Sequence, residues 1–233
     1  MWYTFHNENE KEAMRLIGTL AMWLAALSTR PVLLILVGTV LFPVAILLLG
    51  VVMELFAQAI TTVISLFTGV LIAFGIRTYA TYIGTVIHEL AHATFAFLTG
   101  AKVKKITLVP KGTTLGSVEY EPRGNKFFRG LQMSLSAIAP TIVGTFLLFY
   151  LFTQVHPHLT EAWHFVLFYY LALSILFHMD LSLVDLRNFF AGFLPFLALS
   201  FVVVTLFVLI TGPDAIHDYA LQLQEQYKTA ALT

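Results

Sequence analysis

The stretch TYATYIGTVIHELAHATFAFLTG, Thr78–Gly100, is apolar almost throughout, yet it carries His88, Glu89 and His92 within it. A run of about 20 such residues reads as a helix that crosses a bilayer. A helix turns about 100° per residue, so side chains four apart lie one above the other on one face. Two imidazoles placed in that way can hold one ion, and the HExxH pattern is what zinc chemistry needs. Tetrahedral Zn²⁺ takes His nitrogen at about 2.0–2.1 Å, and a catalytic site keeps three protein ligands with the fourth position open to water. Glu89, next to the first histidine, is placed to accept a proton from that water. Chance gives this motif in about 0.01 of chains of this composition. An acid at mid-bilayer costs about 2.5–3.5 kcal/mol, so ionisable residues in such a helix read as functional.

The rest of the chain agrees with a lipid setting. Of 233 residues, 58% are hydrophobic and 11% charged, and the mean hydropathy is +0.84, which excludes a water-exposed globule. Thirteen Lys plus Arg balance thirteen Asp plus Glu, so no basic surplus points to nucleic acid. With no cysteine, any metal must be held by His, Asp or Glu. Apolar runs cover 13–29, 31–57, 59–75, 78–99, 131–152, 163–179 and 190–211, with Pro43 inside the second and only Gln58 between the second and third. The expectation is an all-α polytopic membrane protein with five to seven transmembrane helices. We read 1–233 as a single integral membrane domain: accessory helices over 1–77, a catalytic core over 78–193, and a last helix with a polar tail over 194–233. The start, with three glutamates before the first apolar run and no cleavable leader pattern, reads as mature sequence.

The one long polar interruption, 101–130, holds Lys102, Lys104, Lys105, Lys111, Arg123, Lys126 and Arg129. The positive-inside rule puts this loop in the cytoplasm. His92 lies eight residues before Gly100, which places the motif about 12 Å below the cytoplasmic boundary. KVKKITLVP and LGSVEYEP read as two short strands joined by PKGTT, with Gly116, Val118 and Tyr120 on one face of the second. His156, His158 and His164 read as solvated loop residues and His178 as a core histidine that could support a ligand. The tail from Asp214 reads as a short amphipathic helix.

A third ligand must come from the remaining acids. Glu161 falls on the far side, Glu54 reads as an interfacial acid, and Glu119 and Glu121 belong to the polar loop. Asp180 and Asp185 remain. A straight helix from Trp163 favours Asp180, whereas a break in the polar stretch would bring Asp185 back to the metal.

On HELAH, the following Gly100, the strand pair ending in LGSVEY, the Pro-containing LSAIAPTIVG (135–144) and SLVDLRN (182–188), the chain resembles the site-2 protease class of intramembrane zinc metallopeptidases, in its short prokaryotic branch. The resemblance covers about 78–193. It implies one Zn²⁺ held by His88, His92 and, through the Ser-x-x-Asp pattern, Asp185, with Glu89 as general base. Where better-known members have Leu-Asp-Gly, this chain has Val184-Asp185-Leu186. The implied activity is hydrolysis of membrane-spanning or membrane-proximal protein segments, in a prokaryotic cytoplasmic membrane, with the site towards the cytoplasm and the hairpin holding unwound substrate. The partners are therefore a transmembrane protein substrate and the bilayer. Two rivals fit the residues less well. An inactive scaffold has no need of Glu89, and a metal transporter would distribute polar residues along a pathway.

Overall fold

The computed structural model describes residues 2–108, 116–179 and 181–230. The elements in chain order are α1 (Trp2–Ser28), α2 (Pro31–Thr68), α3 (Val70–Gly75), α4 (Tyr82–Leu98), β1 (Lys102–Thr107), β2 (Ser117–Glu121), α5 (Lys126–Tyr150), α6 (Ala162–His178), α7 (Leu183–Ala191), α8 (Phe193–Thr211) and α9 (Pro213–Ala230). A π-helical turn, Ile76–Ala80, joins α3 to α4.

The protein is an all-α polytopic membrane protein with one small antiparallel sheet. Among the described residues three helices are long and apolar enough to cross a membrane: α2, Lys126–His158 and α8. Two bent pairs, Val70–Ala80 with α4 (51°) and α6 with α7 (60°), raise the number to five if each pair is one span. Five is the lower end of the expected range. The second and third apolar runs do not separate at Gln58, because its amide donates to Glu54 Oε1 one turn back (2.7 Å) and the helix continues. The first run does not meet that length and apolarity: α1 carries Glu10, Lys11, Glu12 and Arg15, which shortens its apolar stretch. Leu71 is 88% and Phe67 85% exposed, the surface expected where lipid replaces water.

The chain forms two compact units. The smaller comprises Met1–Phe42 and Ala198–Thr233. In it α1 packs along α9, which is the helix expected after Asp214, and His217 Nδ1 lies 3.0 Å from both the Ala25 carbonyl and Ser28 Oγ. The larger unit, Pro43–Leu197, holds every residue of the HELAH motif. Its interior is built by close helix approach, as expected in lipid, where association relies on packing of small residues. A Cβ at Gly84 of α4 would lie 1.8 Å from the Ser174 carbonyl oxygen of α6, and one at Gly192 would lie 1.9 Å from the Gly130 carbonyl of α5. Ala137, Ile138, Phe189 and Phe196 form a buried cluster under α7, and Ser134 Oγ donates to the Phe189 carbonyl (2.9 Å).

Gly100, at φ 93°, ends α4 with Ala101 N–H donating to the Ala96 carbonyl (2.9 Å), and the chain reverses into β1. Lys102 pairs with Glu121 and Thr107 with Ser117, with an irregularity between Val103 and Lys105. The expected PKGTT turn lies outside the described residues. The hairpin is pinned at both ends. The Tyr82 hydroxyl donates to the Leu108 carbonyl, and buried Gln132 of α5 takes Arg123 N–H (2.7 Å) while donating to Thr99 O and Arg123 O (3.1 Å each).

Candidate metal centre

His88, Glu89 and His92 lie on α4, and Asp185 lies in the first turn of α7. One ligand atom from each of His88, His92 and Asp185 falls within 4.8 Å of the others, the one such group of three among the described residues. Glu89, His92 and Asp185 are all buried.

The two imidazoles are aimed by main-chain carbonyls that their helices cannot use. His88 Nδ1 donates to the His178 carbonyl, at the end of α6 where helix carbonyls lack intrahelical partners. Its neighbours there are also taken from outside the helix: Thr141 Oγ1 donates to Met179 O (3.2 Å), and Arg77 reaches Phe177 O (3.5 Å) while paired with Glu54 (2.7 Å). Glu54, expected at an interface on its own, is therefore half of an ion pair. His92 Nδ1 donates to the Ser136 carbonyl (2.7 Å) inside α5. The helical partner of that carbonyl would be the N–H of residue 140, which is proline and has none. Pro140 thus leaves an acceptor open on the helix face where His92 needs one.

With both Nδ1 atoms donating, both Nε2 atoms present lone pairs, and these lie 3.0 Å apart. Two lone pairs so placed repel unless a cation sits between them. Asp185 Oδ1 lies 3.5 Å from His92 Nε2. Donor atoms around a tetrahedral ion at about 2.0–2.1 Å are about 3.3 Å apart, and the two separations bracket that value. The residues fit a zinc ion.

The other oxygen of Asp185 serves its own helix. Ser182 and Asp185 form a reciprocal capping box: Asp185 N–H donates to Ser182 Oγ (3.1 Å), and Asp185 Oδ2 takes Ser182 N–H (3.1 Å) and hydroxyl (2.6 Å). This cap starts α7 afresh after the 60° bend and turns Asp185 to the histidines. Asp180 lies outside the described residues.

A cavity of about 530 Å³ opens onto His88, Glu89, His92 and Asp185, and Gly116 and Tyr120 also line it. Sequence reading missed how close the strand comes: a Cβ at Gly116 would lie 2.6 Å from Glu89 Cγ and 2.9 Å from Oε1. The alternation of Gly116, Val118 and Tyr120 was the available signal. Burial, and then the charge of Asp185, push the Tyr120 phenol above its ordinary pKa, so it stays protonated. The histidines of the 156–164 stretch have other roles. The His156 ring packs against Phe152, Phe165, Phe168 and Tyr169, and His164 caps α6 with Glu161. The ring of His178 bonds Ser174 O (3.0 Å), so His178 supports His88 through its carbonyl and not through its ring.

A family model described as Peptidase M50B-like matches residues 57–225, which contain every residue of this cluster. No curated protein and no solved structure gives a significant match. With more than half of its length matched, the chain belongs to the Peptidase M50B-like family.

Proposed function

We propose that the protein is an intramembrane zinc endopeptidase that cleaves membrane-spanning or membrane-proximal segments of other proteins. The observation that carries this reading is the convergence of His88, His92 and Asp185 beside buried Glu89 in one cavity. His88, His92 and Asp185 would hold one Zn²⁺ per chain. Bound there, the ion supplies Lewis-acid polarisation of a peptide carbonyl and lowers the pKa of water towards about 7. Glu89 takes a proton from the water whose oxygen adds to the carbonyl carbon, and the π pair moves onto the carbonyl oxygen. Glu89 then passes that proton to the amide nitrogen, the pair on oxygen re-forms the carbonyl, and the C–N bond breaks to give an acid and an amine.

A transmembrane substrate is helical because its backbone finds no other partner in lipid, so the scissile segment must unwind. The edge of β2, with Gly116 and Val118 at the cavity, would pair that segment as an added strand. The catalytic core, 78–193, falls within the larger unit, and the basic 101–130 loop orients the site towards the cytoplasm of a prokaryotic cell. The test is paired. Replacement of His88 or His92 by Ala should abolish zinc in the purified protein. Glu89→Gln should keep zinc and stop cleavage of a reporter transmembrane substrate. Unchanged zinc in the first case, or continued cleavage in the second, removes the proposal.

A further inference from the structure

Resting on that reading, we propose that Tyr120 is a further catalytic residue, whose phenol donates a hydrogen bond to the scissile carbonyl oxygen as it becomes negative. The side chain lies on the inward face of β2 and lines the cavity that holds His88, Glu89, His92 and Asp185. Gly116, just before the same strand, lies against Glu89, while Tyr120 sits against the Ser136 hydroxyl and feels the charge of Asp185. Four residues of strand span about 13 Å. The contact with the base and the phenol therefore lie at opposite ends of β2, and both ends line the cavity.

Two hydroxyls near the ligands are already engaged. The Ser182 hydroxyl is held by Asp185 (2.6 Å), and the Ser136 hydroxyl gives its proton to the His92 carbonyl (3.0 Å). The phenol sits against that neutral hydroxyl, and an anionic oxygen is a stronger acceptor than a neutral one. Tyr120 also stands where the cavity meets a second one of about 430 Å³, sharing Val118 and Asn188 with it. A chain laid along β2 and running from one cavity into the other passes the phenol. Burial keeps the phenol protonated, which a donor requires. Donors of this kind act on the transition state and leave ground-state binding largely alone.

Tyr120→Phe removes the hydroxyl and little else. In purified protein with a reporter transmembrane substrate, kcat should fall about 10²-fold with KM and zinc content unchanged. Affinity for a peptide phosphinate that mimics the tetrahedral intermediate should fall by a similar factor. Wild-type kcat, or a fall in kcat that follows zinc loss, overturns the assignment. Glu89→Gln, measured alongside, separates the two levels. If it cleaves normally, the peptidase reading itself fails; if it is inactive while Tyr120→Phe matches wild type, only the role of Tyr120 fails.

Discussion

Replacing Gly116 by alanine tests whether the hairpin strand is seated directly on the base. Gly116 is not among the glycines with positive φ, so its lack of a side chain serves space and not backbone conformation. The added Cβ would meet Glu89 Cγ at 2.6 Å, Oε1 at 2.9 Å and Cδ at 3.0 Å. Carbon atoms in ordinary contact stand about 3.5–4.0 Å apart, so the carboxylate or the strand must retreat by about 1 Å. A displacement of that size at a reacting group costs about 10²-fold in rate, or about 2.7 kcal/mol of barrier. The three proposed ligands come from α4 and α7 and not from the hairpin, so zinc content should not change. The assay is kcat/KM on a fluorogenic transmembrane reporter in proteoliposomes, with metal measured on the same sample. A Gly116→Ala protein within threefold of wild type, in a preparation where Glu89→Gln is inactive, would refute the contact argument.

Three further outcomes follow from the supports of the ligands. Pro140→Ala restores an N–H that competes for the Ser136 carbonyl, so zinc affinity should fall by up to about 10-fold in a chelator competition. Ser182→Ala removes the cap of α7 and one partner of Asp185 Oδ2. It should weaken zinc binding by about 10–100-fold and lower stability by about 1 kcal/mol on thermal unfolding. Gly84→Ala drives a methyl into a main-chain oxygen that has no room to move, so α4 and α6 must part and His88 must lose its carbonyl partner. Poor accumulation in the membrane, or zinc-free protein, is expected; a fully loaded, active variant contradicts the packing described.

How much was legible in the sequence differs from residue to residue. The HELAH spacing suffices to place two imidazoles on one helical face, because periodicity of 3.6 is a local property. Asp185 is a mixed case. Straight-helix arithmetic leans towards Asp180, and what redirects the chain is the 60° bend between α6 and α7, set where Ser182 starts a new helix. The Ser-x-x-Asp capping pattern is visible in the sequence, but the angle at which the new helix leaves is decided by packing under Phe189 and Gly192. Glu54 and Arg77, 23 residues apart, could not be paired from the sequence, since neither periodicity nor spacing links α2 to the π turn. The contact of Gly116 with Glu89 is likewise tertiary, although the strand alternation indicated which face to inspect.

The orientation of His88 and His92 depends on peptide carbonyls and not on neighbouring side chains. A carbonyl is present whichever amino acid occupies the position. Substitutions at Ser136 or His178 that preserve the helical path therefore leave the acceptor in place, and surrounding apolar residues can drift without erasing it. This gives the centre a tolerance to mutational turnover that a carboxylate-supported pair of histidines would lack. It also places selection on the course of α5 and α6 more than on the identities they carry there.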